Sequence, residues 1–219
     1  MDSPTEENYL KTLFKLSDEK GHISISELSA AMNVSMPTAN SMVKKLDAQG
    51  WLKYEKYKPL VITPKGRKKA SLIIRKHRLT EMFLVEKMGF SWENVHEIAE
   101  QVEHVQSEAF FDRMDELLGH PKIDPHGSPI PDKEGKTENQ SFVQLSQCSP
   151  GQHTILRALT QSDLGLLNYL NAKSIGLGTK IQVVSKEPYD GSVEVIYEGE
   201  RTETLSHVIS EKLLVEIDE

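Results

Sequence analysis

Cysteine is nearly missing from this sequence: Cys148 stands alone among 219 residues. One thiol makes no internal disulfide, and a reducing cytoplasm is the expected compartment. No run of about 18 apolar residues occurs, which excludes a membrane-spanning helix. The opening stretch, MDSPTEENYLKTLFKL, has no basic segment leading into an apolar one, so no secretory signal is read. Internal repeats and low-complexity tracts are absent. Catalytic signatures are lacking too. In His96-Glu97-Ile98-Ala99-Glu100, a glutamate stands where an HExxH metalloprotease needs its second histidine. No Ser/His/Asp nucleophile arrangement is evident, and the chain is not expected to be an enzyme.

What is present describes an ordinary soluble protein, with 37% hydrophobic and 27% charged residues. Its length suits one to three domains. The net charge of -7 hides a division. Residues 1–76 carry 14 Lys+Arg against 8 Asp+Glu, a net of +6, and the remainder carries 12 against 25, a net of -13. A basic N-terminal unit on an acidic remainder points to nucleic-acid binding confined to that unit.

Along the chain, a first helix is expected over residues 4–19, with Ser3 as N-cap, Pro4 at its first position, Glu6 and Glu7 in its first turn, and Gly21 ending it. Ser26 is read as the cap of a second helix, 27–32. Asn33-Val34 forms a turn, and Ser35 caps a third helix with Pro37 in its first turn. Thr38, Asn40, Ser41, Lys44 and Lys45 face outward on that helix. Short polar side chains followed by lysines suit a helix in the major groove, where the former read base edges and the latter meet phosphates. Residues 52–55 and 60–63 alternate around Lys58-Pro59 as a β-hairpin wing, with Lys53, Lys56 and Lys58 near its tip. Helix-helix-helix-hairpin-helix is a winged helix-turn-helix. Its candidate DNA contacts are Ser26, Ser35, Pro37, Thr38, Asn40, Ser41, Lys44, Lys45, Lys56 and Lys58.

A helix continues over residues 65–88, and Ser91 is expected to cap one further helix running to Gly119. On that helix His96, Glu100, Glu103 and His104 share one sector roughly 100° wide, beside an apolar sector of Val95, Ile98, Ala99, Val102 and Val105. Upstream, His77 and Glu81 are spaced i, i+4, on one face. Imidazoles and carboxylates together suit a divalent first-row metal. After Gly119 the Pro- and Gly-rich HPKIDPHGSPIP reads as a linker or ordered loop carrying Asp124 and His126. From Phe142, five short strand-like runs and one helical stretch, Ser162–Leu170, suggest a small SH3-like β-barrel.

These residues resemble the diphtheria toxin repressor (DtxR/MntR) family of metal-dependent transcriptional repressors. The landmarks are TEENYLKTLFKL, VSMPTANSMVKKLDAQGWL, ITPKGR, RKHRLTEMFLVEKMGF, VHEIAEQVEHVQS and LLGHPKIDPHGSPIP, and they cover nearly the whole chain. The resemblance implies a mainly α protein with a small β domain. Its parts are a winged helix-turn-helix (1–73), a helical dimerisation and metal-binding domain (74–140) and an SH3-like, FeoA-like β-barrel (141–219). It implies one metal site at Asn8, Glu100, Glu103 and His104, joining the first helix to the dimerisation helix. It also implies an ancillary site at His77, Glu81 and His96, for which Asp124, His126 and Asp163 are the candidates to complete the set.

Iron-sensing members carry Cys where Glu100 stands and Met where Asn8 stands. The all-N/O set here is harder and favours Mn²⁺, with Fe²⁺ second. Short manganese-sensing members have Asp and Glu where Asn8 and Lys11 stand, and Lys11 cannot bridge two cations. The expected partners are a second copy, through Val95, Val102, Phe110, Phe111, Met114 and Leu118, and double-stranded DNA with a (pseudo)palindromic operator; no membrane is expected. The rival reading is a winged-helix regulator answering a small organic ligand, with structural His and Glu residues.

Overall fold

A computed structural model describes residues 3–20, 22–138, 140–198 and 201–218, with the backbone alone for Glu19 and Lys20. Gly21, the expected stop of the first helix, lies outside the described residues. The chain divides into two compact units. The first comprises Met1–Thr80, Glu97–His120 and Ile130–Glu138, and the second Glu81–His96, Pro121–Pro129 and Asn139–Glu219.

In the first unit, α1 (Pro4–Lys20) opens on a reciprocal cap: the Ser3 amide donates to Glu6 Oε2 at 2.7 Å and the Glu6 amide to Ser3 Oγ at 3.3 Å. α2 runs Ile25–Ala31 and is capped by Ser24, not Ser26. The capping box explains the shift, because Glu27 stands three residues after Ser24 and closes the box. α3 (Met36–Ala48) starts at Ser35 as expected. Tyr9, Leu10, Leu13, Leu28, Val43, Leu46 and Trp51 bury the apolar faces of these three helices in one core.

The wing is shorter than its alternation suggested. β1 (Leu52–Lys53) pairs with β2 (Val61–Ile62), while Leu60 bridges to Ile23 instead. α4 (Pro64–Met88) then begins on Thr63, whose hydroxyl accepts the Gly66 amide at 3.0 Å. A Cβ on Gly66 would lie 2.0 Å from the Trp51 carbonyl, so only glycine lets α4 approach the wing this closely.

The helix expected from Ser91 to Gly119 is broken. A 3₁₀ turn at Trp92–Asn94 precedes α5 (His96–Val102), a turn holds Glu103 and His104, and α6 covers Glu108–Leu117. Ser107 caps α6 by accepting the Phe110 amide at 3.3 Å, a bond that a continuous helix would forgo. Among the residues expected at a dimer interface, Val95, Phe111 and Met114 are buried within the chain, Val102 and Leu118 are half-buried, and Phe110 is about half exposed.

In the second unit, β3 (Val143–Gln144), β4 (His153–Leu159), β5 (Lys180–Lys186), β6 (Val193–Tyr197), β7 (Arg201–Leu205) and β8 (Leu213–Asp218) form one antiparallel sheet ordered β3-β8-β4-β5-β6-β7. Two elements exceed expectation, β7 and the short α8 (His207–Ser210). β7 reads Arg-Thr-Glu-Thr-Leu and, among the described residues, pairs with β6 alone at the sheet edge, so it needs no apolar alternation. The sheet and α7 (Leu164–Ala172) enclose Leu156, Leu167, Leu170, Val183, Val195, Tyr197 and Val215.

Candidate metal centre

The basic surface lies on α3 and the wing. Thr38, Ser41, Lys44 and Lys45 are exposed and Asn40 is half-buried. Ser35 and Thr38 share a hydroxyl contact of 2.8 Å at the start of the helix, beside exposed Pro37. Ser26 contacts the cap residue Ser24 at 2.9 Å. Lys45 is engaged from α1, where Glu6 holds its ammonium at 2.9 Å. At the wing tip, Lys56 and Lys58 flank Tyr57, which is 91% exposed at φ +67°. Lys56 lies 4.8 Å from the Tyr57 ring centroid. Tyr57 adds a candidate contact to the lysines, and the Lys-Tyr-Lys triplet is the sequence signal that marks it.

Two groups of ligand-type side chains form. The first, in the first unit, joins α1 to the turn after α5. Glu103 is fully buried; Lys11 Nζ donates to its Oε1 at 2.6 Å and its Oε2 at 2.9 Å, and His77 Nδ1 donates to Oε2 at 2.6 Å. Burial alone would raise the Glu103 carboxyl, but the His77 hydrogen bond and the Lys11 charge outweigh it and hold the group below the ordinary glutamate range. His104 Nδ1 donates to Glu7 Oε2 at 2.7 Å, which turns Nε2 toward Glu103 Oε1 at 3.7 Å. Glu100 is largely exposed, 3.9 Å from Lys11. The α1 carboxylate that reaches this junction is thus Glu7, one position before the expected Asn8, which is half-buried. Glu7 also accepts from Gln106 Nε2 at 3.1 Å and pairs with Lys69 at 3.4 Å.

The second group lies in the second unit, on the C-terminal part of α4 and the loop after α6. Glu81, Asp124 and His126 are all buried, with ligand atoms within 4.8 Å of one another. His126 Nδ1 faces Glu81 Oε2 at 3.7 Å and Asp124 Oδ1 at 4.0 Å. Its other nitrogen, Nε2, donates to the Trp92 carbonyl at 2.9 Å, and the Trp92 ring stacks on the imidazole at 5.8 Å and 21°. Trp92 thus fixes the orientation of the His126 ring, and the break in the expected helix is what frees its carbonyl. Burial opposes charge on His126, yet the hydrogen bond and charge of Glu81, with the charge of Asp124, raise its pKa above the ordinary imidazole value. His96 adds Nδ1 at 3.2 Å from Glu81 Oε1.

Loop geometry holds this group. Asp124 Oδ1 accepts the His126 and Ser128 amides at 2.8 and 2.9 Å, and the His126 carbonyl accepts the Leu159 amide of β4 at 3.0 Å. Gly127 follows at φ +86°, where a Cβ would lie 2.2 Å from the Arg157 carbonyl. The Pro- and Gly-rich segment is thus an ordered loop. Asp163 does not join the group: its Oδ1 caps α7 by accepting the Leu166 amide at 3.0 Å. His77 and Glu81 sit one turn apart on α4; His77 contacts Glu103, and Glu81 contacts His96 and His126.

The chain is similar to known proteins along its length. The iron dependent repressor N-terminal DNA binding domain matches residues 1–60, the iron dependent repressor metal binding and dimerisation domain matches 63–132, and the FeoA domain matches 143–217. The iron-dependent repressor IdeR of Mycobacterium leprae is 31% identical over 97% of this chain and 96% of its own length. The regulator MntR of Geobacillus kaustophilus is 38% identical over 54% of this chain and 83% of its own. A solved manganese-dependent transcriptional repressor in complex with manganese superimposes at a TM-score of 0.87 and 29% identity, covering 97% of this chain and 100% of that one. The chain belongs to the DtxR/IdeR family of metal-dependent transcriptional repressors. These relatives are named as repressors and regulators, and the fold is theirs: helical DNA-binding and dimerisation domains with a C-terminal antiparallel sheet domain. Among the described residues no helix is long and apolar enough to cross a membrane.

Proposed function

We propose that the chain works in the cytoplasm as a homodimeric repressor of metal-homeostasis genes, with Mn²⁺ as the preferred effector and Fe²⁺ as the second. The proposed division of labour follows residues 1–73 for DNA, 74–140 for dimerisation and metal, and 141–219 for the β domain. The observation that carries the reading is the buried Glu81–Asp124–His126 group, where His126 Nε2 is committed to the Trp92 carbonyl and Nδ1 faces two carboxylates. This is how a ligating imidazole is oriented, with its second nitrogen bonded to the protein.

Two ligand sets are proposed. Glu100, Glu103 and His104 would act with Asn8 of α1, and Glu7 would orient His104. Glu81, His96, Asp124 and His126 would form the second set, with His77 one helical turn before Glu81. Asp163 is left out because its side chain is more than half exposed and lies outside the grouped donors, capping α7. Every donor is nitrogen or oxygen, which suits Mn²⁺ better than a sulfur-containing set would. A bound divalent cation would supply the charge that lets several buried carboxylates and imidazoles share one point.

The residues of the chain do the rest. Glu103 and His104 meet α1, so their state bears on the angle at which α1 presents the helix-turn-helix. Thr38, Asn40 and Ser41 are assigned to base edges, and Lys44, Lys45, Lys56 and Lys58 to phosphates. Ser26, Ser35 and Pro37 lie at the helix starts, with Tyr57 at the wing tip. A two-fold dimer sets paired recognition helices on a (pseudo)palindromic operator, one turn of about 34–36 Å apart. A coupling of about 1–3 kcal/mol changes DNA affinity roughly 5–150-fold.

The test is anisotropy of DNA from the chain's own upstream region at fixed salt, with chelator-stripped protein titrated by Mn²⁺ or, anaerobically, Fe²⁺. Binding created by metal is the expected result. Equal binding with and without metal would return the protein to the class of regulators answering another ligand.

A further inference from the structure

We infer that Lys11 is a built-in cationic competitor for the Glu103 carboxylate, and that it sets how much metal the α1 junction needs. The inference rests on the metal reading above and concerns the first ligand set only. Glu7 and Lys11 stand one turn apart on α1, and they clasp neighbouring residues of the turn after α5. Glu7 takes His104 at 2.7 Å, and Lys11 takes Glu103 at 2.6 Å. The ammonium reaches both Glu103 oxygens, and His77 adds a third hydrogen bond at 2.6 Å. Glu103 has no exposed surface, so it cannot trade these partners for water.

A carboxylate that ligates needs an oxygen lone pair directed at the cation, and both Glu103 oxygens are already committed. A divalent ion at carboxylate distance, about 2.0–2.2 Å for a small first-row cation, would also sit against the Lys11 charge. Lys11 must therefore leave before Glu103 can ligate. Its side chain is 22% exposed, so its tip has a route to solvent, and a four-carbon stem makes the movement a matter of rotamers. Without metal, Lys11 holds α1 to the Glu103 turn by charge. With metal, the same carboxylate is used and the clasp has changed cation.

The sign follows. Removing the Lys11 charge strands a buried carboxylate in the metal-free form and removes a repulsive neighbour from the metal-bound form. Both effects tighten metal binding.

The experiment is calorimetric titration of the full chain with Mn²⁺ in a Glu81→Ala background, which silences the second ligand set. Lys11→Met keeps the stem and loses the charge, Lys11→Gln is a second neutral variant, and Lys11→Arg keeps the charge. Tenfold or greater tightening in Lys11→Met or Lys11→Gln, with Lys11→Arg no tighter than its parent, is expected. Neutral variants that fold, by circular dichroism, and bind Mn²⁺ equally or more weakly would overturn the role of Lys11 while leaving the metal reading in place. A natural chain that takes up no Mn²⁺ at all would overturn both.

Discussion

His104 Nδ1 meets Glu7 Oε2 at 2.7 Å across 97 positions of sequence, joining the turn after α5 to the first helix of the DNA-binding region. Glu7 is fully buried, so the pair is screened from water. The neighbouring position, Asn8, is half-buried. Glu7→Ala should cost the chelated protein about 1–3 kcal/mol, because half-buried His104 loses its acceptor and Gln106 loses one of its two. Urea unfolding measures this, and Asn8→Ala should cost less. Equal costs would mean that Glu7 does not hold the junction.

Glu103→Ala should abolish the Mn²⁺-induced gain in DNA binding while leaving a dimer by sedimentation. Loss of the carboxylate leaves Lys11 and His77 facing each other, so the metal-free protein should also lose stability, by about 3 kcal/mol or more for a buried pair broken on one side. A variant that kept full metal response would remove Glu103 from the ligand set.

As a proposed ligand, His126 should make stability and Mn²⁺ affinity depend on pH in opposite senses. Its folded pKa is raised by the Glu81 hydrogen bond and the Glu81 and Asp124 charges, which outweigh burial. Its contribution to metal-free stability is therefore complete below the ordinary imidazole pKa of about 6.5. It is lost as pH rises through the higher folded value. Ligation needs the neutral ring, so Mn²⁺ affinity should climb over the same interval. Thermal melts of the chelated chain and of His126→Gln, beside Mn²⁺ titrations from pH 6 upward, follow both slopes. Parallel slopes would contradict the assignment.

Gly127→Ala places a Cβ 2.2 Å from one backbone atom and 2.5 Å from another, at φ +86°. Backbone strain costs about 1–3 kcal/mol and overpacking a similar amount. The melting temperature should fall, and Mn²⁺ binding by Glu81→Ala and Gly127→Ala should weaken alike. A normal melt would show that the loop can yield.

Lys44→Ala should reduce the salt dependence of DNA binding by about one contact in slope. Lys45→Ala should reduce it less, since Glu6 already holds that ammonium at 2.9 Å. The Ser3 amide, Lys45 and Gln49 hold Glu6 down to about 2 from 4.5. Its stabilising effect is thus full above about 4.5 and fades as pH falls toward about 2. Anisotropy at several salt concentrations separates the lysines, and acid unfolding of Glu6→Gln checks the carboxylate.

The order of elements was legible in the sequence because local chemistry determines it. Ser35 before Met36-Pro37, Thr63 before Pro64, and the apolar spacing of α1 through α4 each specify a helix within a few residues. The family was legible too, since RKHRLTE and EQVEH carry side chains whose types suit one chemistry. Tertiary structure decided the rest. The expected long helix breaks at Glu103 because Ser107 offers a better start, and that break turns Glu103 and His104 toward α1. Whether Glu7 or Asn8 reaches His104 depends on the rotation of α1 against a turn 97 positions away, which no local pattern encodes. Asp124, His126 and Asp163 looked equivalent as donors in the sequence. Packing gave the first two to Glu81, while the third stands exposed at the start of α7, where its Oδ1 satisfies one of the amides that the first turn of a helix leaves without a partner.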